Sequence, residues 1–435
     1  MNQKVRVKRL FKEGLWVITG QVLTVIGTLF QIRVLTEYLT PAVYGELQLA
    51  LTISGLITST LMAAVTPGIA RYYSISAEQG DTSSYLKACI KLMGYATLAV
   101  CLVGFMLIVM LIFLGMAQWI LLSILVTCFG VFASYSAALG SIQNAARQRI
   151  IVALHNVADA WFKIAIAVVC IGFLGGISVA AALGLLLTAV LITISQLFYI
   201  KKLPSSPKPI KRAEAPEDWG RLMLLFSRPF LIWGAFGWMQ QSSSRWALGL
   251  LSSIDDVGLF SVLFQLGYTP MVMISSLGLT FITPVLFARV GNATDGIRVG
   301  NLIRTVFILT SISALLLVIA VWIAGVFHEA IFSLAAGAEY KAQSHYLPYM
   351  VFAGGLFAIS QVIATIPTSL NVPSKLLLAS IGSSLIGIAG AFAGAYYYSF
   401  EGVVFSLIIH SAAYFILCCL AIKKITNDNL RLGSL

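Results

Sequence analysis

The chain has 435 residues, 59% of them hydrophobic and only 10% charged, with a mean hydropathy of +0.94, whereas soluble domains carry roughly a quarter charged residues. That composition excludes an ordinary soluble globular protein and points to a polytopic membrane protein. The net charge of +12 would suit a nucleic-acid binder, but the placement of the cations along the chain accounts for it without one.

The N-terminal stretch M-N-Q-K-V-R-V-K-R has the basic character of a signal peptide. The apolar run that follows is too long and has no A-x-A-like exit, so it reads as an uncleaved first span. A helix needs about 20 mostly apolar residues to cross the hydrocarbon core. About twelve such stretches follow one another, near 14–36, 43–65, 88–114, 118–140, 156–175, 177–199, 228–251, 257–283, 301–326, 345–367, 374–397 and 401–421. Their unbroken apolarity excludes the alternation of membrane strands, so the spans are helices.

Between them, 23 of the 28 Lys and Arg fall on one side. They lie in the N-terminal arm, in the loops holding Arg71, Arg147 and Arg149, in the run Lys201 to Arg221, in the loops around Arg298 and Lys375, and in the tail. Lys341 lies on the other side, and Arg33, Lys163, Arg228 and Arg245 fall in or at the ends of spans. By the positive-inside rule both termini are cytoplasmic. The six cysteines, Cys89, Cys101, Cys128, Cys170, Cys418 and Cys419, sit in or beside apolar segments without a C-x-x-C pair, which suits packing.

The segment 201–220, K-K-L-P-S-S-P-K-P-I-K-R-A-E-A-P-E-D and two residues more, is rich in proline, serine and charge. It reads as a linker between a six-helix bundle at 1–200 and another at 221–435. The halves echo each other: T-P-G-I-A-R-Y-Y begins at Thr66 and T-P-V-L-F-A-R-V at Thr283, 217 positions later. Each phrase follows a polar turn, a glycine (Gly45, Gly258) and a span. Because six is even, the repeats run parallel, which predicts an all-α fold of two six-helix bundles around a central cleft, a transporter architecture.

At R-V-L-T-E-Y-L-T-P-A-V-Y-G-E-L-Q-L-A-L, and again at G-A-E-Y-K-A-Q-S-H-Y-L-P-Y-M-V-F and N-V-P-S-K, the sequence resembles the polysaccharide flippases of the multidrug/oligosaccharidyl-lipid/polysaccharide exporter superfamily. The resemblance implies an O-antigen or related flippase of the bacterial inner membrane. Such a protein moves an undecaprenyl-pyrophosphate-linked oligosaccharide outward by alternating access, driven by a coupling ion (proton or sodium) or without one. It implies no other cofactor, and a polymerase and a chain-length protein of the same pathway as possible partners. Lipid II flippases of the superfamily usually have two further spans, which this chain does not show, and that lowers the peptidoglycan-precursor option.

Polar residues within spans are the informative ones, because an arginine at a helix centre costs about 2.5–3.5 kcal/mol on insertion scales. Span seven holds Gln240, Gln241, Ser242, Ser243, Ser244 and Arg245. Six consecutive polar residues cover every face of a helix, so some point inward. Arg245 is a candidate for a pyrophosphate or acidic sugar, and Gln240, Gln241 and Ser244 for sugar hydroxyls. Arg33 precedes Gly45 by twelve residues, as Arg245 precedes Gly258 by thirteen. Gln31 joins Gln21, Thr24 and Thr28 on one helical stripe. For both arginines, snorkelling to the outer interface as an anchor is the competing reading.

Asp159 and Lys163 stand four apart on one helix face beside Trp161. They are either an interfacial anchor that neutralises itself or a functional pair, with Lys163 attracting pyrophosphate and Asp159 carrying a coupling proton. Glu46 is a second ion-coupling candidate or a partner for Arg33. Pro229, Pro270 and Pro367 are expected bending points. His155, His328, His345 and His410 lack metal spacing, and neither a Walker motif nor a G-x-S-x-G elbow occurs. The two competing functions are a cation-coupled drug or metabolite antiporter and a membrane enzyme of polysaccharide assembly. The basic balance of the spans favours an anionic substrate over the first, and the short outer loops disfavour the second.

Overall fold

The computed structural model describes residues 3–62, 65–200, 218–290, 296–370 and 372–432. The proline-rich stretch 201–217 lies outside the described residues. All regular structure among the described residues is helical. The chain divides into two compact units, Met1–Trp238 and Met239–Leu435.

In the first unit, α1 (Gln3–Tyr38) and α2 (Pro41–Leu56) are joined at Thr40, whose extended backbone precedes a proline in the first helical turn. A π-turn over Ile57–Leu61 ends α2, and α3 (Thr66–Gln79) leaves at an angle of 42°. Gly80 closes α3 in the left-handed conformation (φ 72°), which a residue without Cβ adopts freely. The long helices α4 (Thr82–Phe113), α5 (Ile120–Ala145), α6 (Arg149–Leu174) and α7 (Ser178–Ile200) follow. Close backbone approaches hold them: a Cβ on Gly184 would run into Ala167 of α6, and one on Gly130 of α5 would come within 3.1 Å of Ser54.

Helix α8 (Trp219–Leu251) bends by 44° between Arg228 and Phe230, where Pro229 removes a backbone donor. Trp219 and Gly220, expected in the linker, form its first turn. The six-and-six division places α8 wholly in the second bundle, whereas its residues up to Trp238 cluster with the first unit. They lie antiparallel to α2 and α3. The Gly68 amide donates to Ser227 Oγ (3.0 Å), Gly234 lets Ser59 approach, and the Trp238 indole donates to the Thr52 carbonyl (2.7 Å). Beneath them Ile69, Tyr73, Tyr85, Cys89 and Met223 form a core. At its edge the Trp219 indole donates to Asp81 (2.8 Å). Burial opposes ionisation of the Asp81 carboxyl, but hydrogen bonds from Ser84 and Trp219 outweigh it and hold the group below the ordinary carboxylate range.

In the second unit α9 (Ile254–Leu266) is capped by Ser253, whose hydroxyl accepts from the Asp256 amide (3.1 Å), with Asp255 and Asp256 in its first turn. The chain breaks at Gly267 before α10 (Tyr268–Val290). α11 (Gly296–Ala335), α12 (Leu347–Ile363) and the short α13 (Thr365–Ser369) follow. Pro270 and Pro367 stand at these breaks, in the first turn of α10 and in α13. α12 packs against α10, α11 and α14 and is the central helix of the unit. α14 (Leu377–Leu432) doubles back at Ser399 (φ 47°, ψ −126°). Its two arms touch where Gly394 and Gly402 face each other, and His410 Nδ1 lies 2.9 Å from the Ser383 carbonyl.

Among the described residues nine helices are long and apolar enough to span a membrane, or eleven if each bent pair is one span. The difference from twelve expected stretches has two causes. Spans two and seven are bent pairs, and the last two stretches are the arms of the folded-back α14. The surface is apolar in the manner of a lipid-exposed protein: Phe113 and Phe173 are each 86% exposed.

Candidate functional site

Around the end of α1, Arg33 is paired with Glu37 one turn along (2.9 Å). Glu46 of α2 accepts from Ser178 Oγ at the start of α7 (2.8 Å). Both pairs lie at one end of the unit, where a glycine at 176 lets the α7 entry approach the Tyr38 carbonyl. Glu46 was a possible partner for Arg33; the structure gives that role to Glu37, because a glutamate four residues on shares the arginine's helix face. Gln31 is half-buried on α1, and the hydroxyls of Thr24 and Thr28 on its stripe are taken up by carbonyls one turn back.

Helix α6 begins at Arg149, seven residues before the span drawn from hydropathy. Asp159 and Lys163 therefore lie roughly 15 and 21 Å into it, well inside the spanning segment. They form an ion pair of 2.5 Å, their side chains 32% and 21% exposed, and the ammonium also stands 5.5 Å from the Phe129 ring centre. Pairing is what makes two charges tolerable at that depth. Trp161 turns its indole to the Leu23 carbonyl of α1 (3.3 Å), where Gly27 leaves room for it. It fastens α6 to α1.

In the second unit, the polar run on α8 is sorted by face. Ser242, Ser243 and Ser244 are buried, Gln240 is half-buried and Gln241 exposed. The Ser243 hydroxyl bonds to the Gln240 carbonyl (2.7 Å). Arg245 is half-buried and crosses to α9. Its Nε donates to Ser261 Oγ (3.1 Å), its guanidinium lies 5.3 Å from the Phe264 ring centre, and Nη1 reaches the Gln241 carbonyl (3.4 Å). Ser261 is seven residues into α9, roughly 10 Å from its start, so the guanidinium sits at that depth.

The structure thus gathers Arg33, Glu37, Glu46 and Ser178 at one end of the first unit, Asp159 with Lys163 midway along α6, and the 240–245 run with Ser261 and Phe264 in the second unit. Glu37, Ser178, Ser261 and Phe264 escaped the sequence reading. The four-residue interval from Arg33 to Glu37 was a readable signal. Nothing in the sequence pairs Glu46 with Ser178, 132 residues away. Near the end of α11, Glu329 forms a salt bridge with Lys341 (3.1 Å), while His328 bonds to Ser344 (3.0 Å) and His345 to the Ala342 carbonyl (3.1 Å).

Residues 10–290 match the family described as polysaccharide biosynthesis protein. No curated protein matches the chain. Among solved structures, an inward-facing multidrug resistance MATE family transporter of the MOP superfamily aligns over 94% of this chain and 95% of its own, with TM-score 0.68 and 13% identity. The lipid II flippase MurJ in an inward closed conformation aligns over 95% and 87%, with TM-score 0.61 and 12% identity. A MATE protein in its bent conformation aligns over 96% and 97%, with TM-score 0.56 and 15% identity. At such identities the likeness is one of fold, and it is a fold of transporters and a flippase.

Proposed function

The chain belongs to the polysaccharide biosynthesis protein family, and from that membership we propose that it is a flippase for a lipid-linked oligosaccharide. The cargo is a glycan on undecaprenyl pyrophosphate, an O-antigen or related surface unit, carried across the bacterial cytoplasmic membrane by alternating access, with both termini in the cytoplasm. The observation that carries this reading is the family match over 10–290 in a chain whose fold is shared with MATE transporters and with a lipid II flippase.

In this reading intramembrane cations meet the anionic end of the substrate. Arg245, held by a hydroxyl, a carbonyl and a ring, keeps its planar fork suited to a phosphate. Arg33 and Lys163 share their charge with Glu37 and Asp159, so an arriving pyrophosphate competes with a carboxylate, and release is as easy as capture. Gln31, Gln240, Gln241 and Ser244 bond sugar hydroxyls. Asp159 and Glu46 are the carboxylates for a coupling proton or sodium ion. A polymerase and a chain-length protein act on the delivered unit.

Vesicles reconstituted with the protein and loaded with an undecaprenyl-pyrophosphate glycan on the inner leaflet test this. The expected result is protein-dependent appearance of glycan outside, slowed at least tenfold by Arg245→Ala. Appearance no faster than in protein-free vesicles refutes it. A cation-coupled antiporter is the second reading, favoured by the MATE likeness together with intramembrane Asp159 and Glu46; it predicts ion-driven efflux of organic cations from the same vesicles.

A further inference from the structure

The first unit contains a cavity of about 440 Å³ where the start of α4 meets the start of α8. Its α4 wall is Lys91 and Tyr95 with Ala88 and Leu92, at the helical spacing of three and four that defines one face. Its α8 wall is Arg221, Leu225 and Arg228, again one face. The carboxylate there, Asp218, accepts from the Arg221 backbone amide (3.1 Å) and so serves the first turn of α8. Lys91 holds its ammonium 5.8 Å from the Tyr95 ring centre. Three cations therefore converge on one open cavity, while Tyr95 and Leu225 at its wall are 59% and 46% exposed. That combination, a cationic recess bordered by lipid-exposed apolar surface and a tyrosine, suits a group whose one end is anionic and whose other end is acyl or prenyl chain.

The second unit has a cationic recess of its own, with its cations on one helix. At the start of α11, its third span counting α8, as α4 is the third of the first unit, Arg298, Asn301 and Arg304 line another cavity of about 440 Å³ with Leu286 of α10. Two cationic recesses at corresponding helix ends argue that these residues do more than orient the chain in the membrane, a task charge alone performs regardless of shape.

We propose that the α4–α8 recess binds the phosphate of a membrane lipid, with Arg221 and Arg228 clasping the phosphate oxygens and Lys91 adding charge. An anionic phospholipid of the bilayer and an undecaprenyl phosphate carrier present the same chemistry. The site would hold a lipid against α8 at its 44° bend. This inference does not depend on the transport reading.

Native mass spectrometry of the full-length protein in micelles, with phosphatidylglycerol and phosphatidylcholine offered in turn, reads the site. Wild type should retain phosphatidylglycerol in preference to phosphatidylcholine. Each of Arg221→Gln and Arg228→Gln should weaken retention about fivefold, the double variant should lose one retained lipid, and the paired Arg→Lys variant should keep it, which separates loss of charge from misfolding. Equal retention by wild type and the double Gln variant, or no preference for the anionic lipid, overturns the proposal. Displacement of phosphatidylglycerol by undecaprenyl phosphate assigns the site to the carrier lipid; failure to displace assigns it to the bilayer phospholipid. Both outcomes support the phosphate site.

Discussion

Two stretches that the sequence writes alike, 41–79 and 254–290, are built differently. In the first, the chain breaks just before Thr66 and Pro67, which open the new helix α3. In the second, it breaks at Gly267, and Thr283 and Pro284 lie inside the unbroken α10. From Gly45 to Thr66 is 21 positions and from Gly258 to Thr283 is 25, one helical turn more. The breaks coincide with glycine contacts to a neighbouring helix. A Cβ on Gly68 would stand 2.6 Å from the Met223 carbonyl, one on Gly267 2.5 Å from Met350 Cβ, and one on Gly354 2.6 Å from the Tyr268 carbonyl. A repeated phrase therefore marks a repeated place in the fold, while the local backbone follows the packing that each place receives.

The hardest way to break this comparison is to fill those contacts. Gly68→Leu and Gly354→Leu should each destabilise by about 3 kcal/mol or more, because neither neighbour is a side chain that can swing away; thermal unfolding in detergent reads it, and an unchanged transition for either would remove its contact as the cause of the break. Next is Ser227→Ala, which leaves the Gly68 amide without its acceptor at a cost of about 1–2 kcal/mol; the same assay should show no comparable loss for Ser276→Ala, on an exposed face of α10.

The proline pair sharpens the comparison through sign. Pro284→Ala restores a backbone donor inside α10 and should stabilise by about 1 kcal/mol, whereas Pro67→Ala, at a helix start where no donor is needed, should stay within about 0.5 kcal/mol of wild type. The smallest effect is at Asp81. Its depressed carboxyl contributes stability that is present above the ordinary carboxylate pKa and lost as pH falls through the lower folded value. The advantage of wild type over Asp81→Asn should therefore shrink on acidification below about pH 4; an advantage that grows with acid would reverse the assignment.

Much of this fold could be read from composition and hydropathy, because lipid imposes long apolar helices whatever the substrate. Boundaries were harder. The first turns of α6 hold the apolar run Ile150 to Leu154, but Arg149 and His155 on either side of it kept it out of the expected span, and α3, with its Ser-Ala-Glu-Gln end, did not register as a helix. The fold-back of α14 depends on a positive φ at Ser399, a residue whose type gives no hint of it. At the candidate site, Arg33, Lys163 and Arg245 stood out as charges within apolar runs. Of their partners, only those one turn away on the same helix were legible. The contacts of Arg245 with Ser261 and Phe264 require the packing of α8 on α9, which no spacing in the sequence encodes.

The central claim is the outward movement of a lipid-linked glycan. A bacterial strain that makes the glycan but lacks this gene tests it most directly, by measuring which leaflet of the cytoplasmic membrane holds the undecaprenyl-linked oligosaccharide. The glycan should stay on the cytoplasmic side without the protein, move outward with wild type restored, and be stranded again with Arg245→Ala. Arrival in the outer leaflet regardless of the protein would contradict the account.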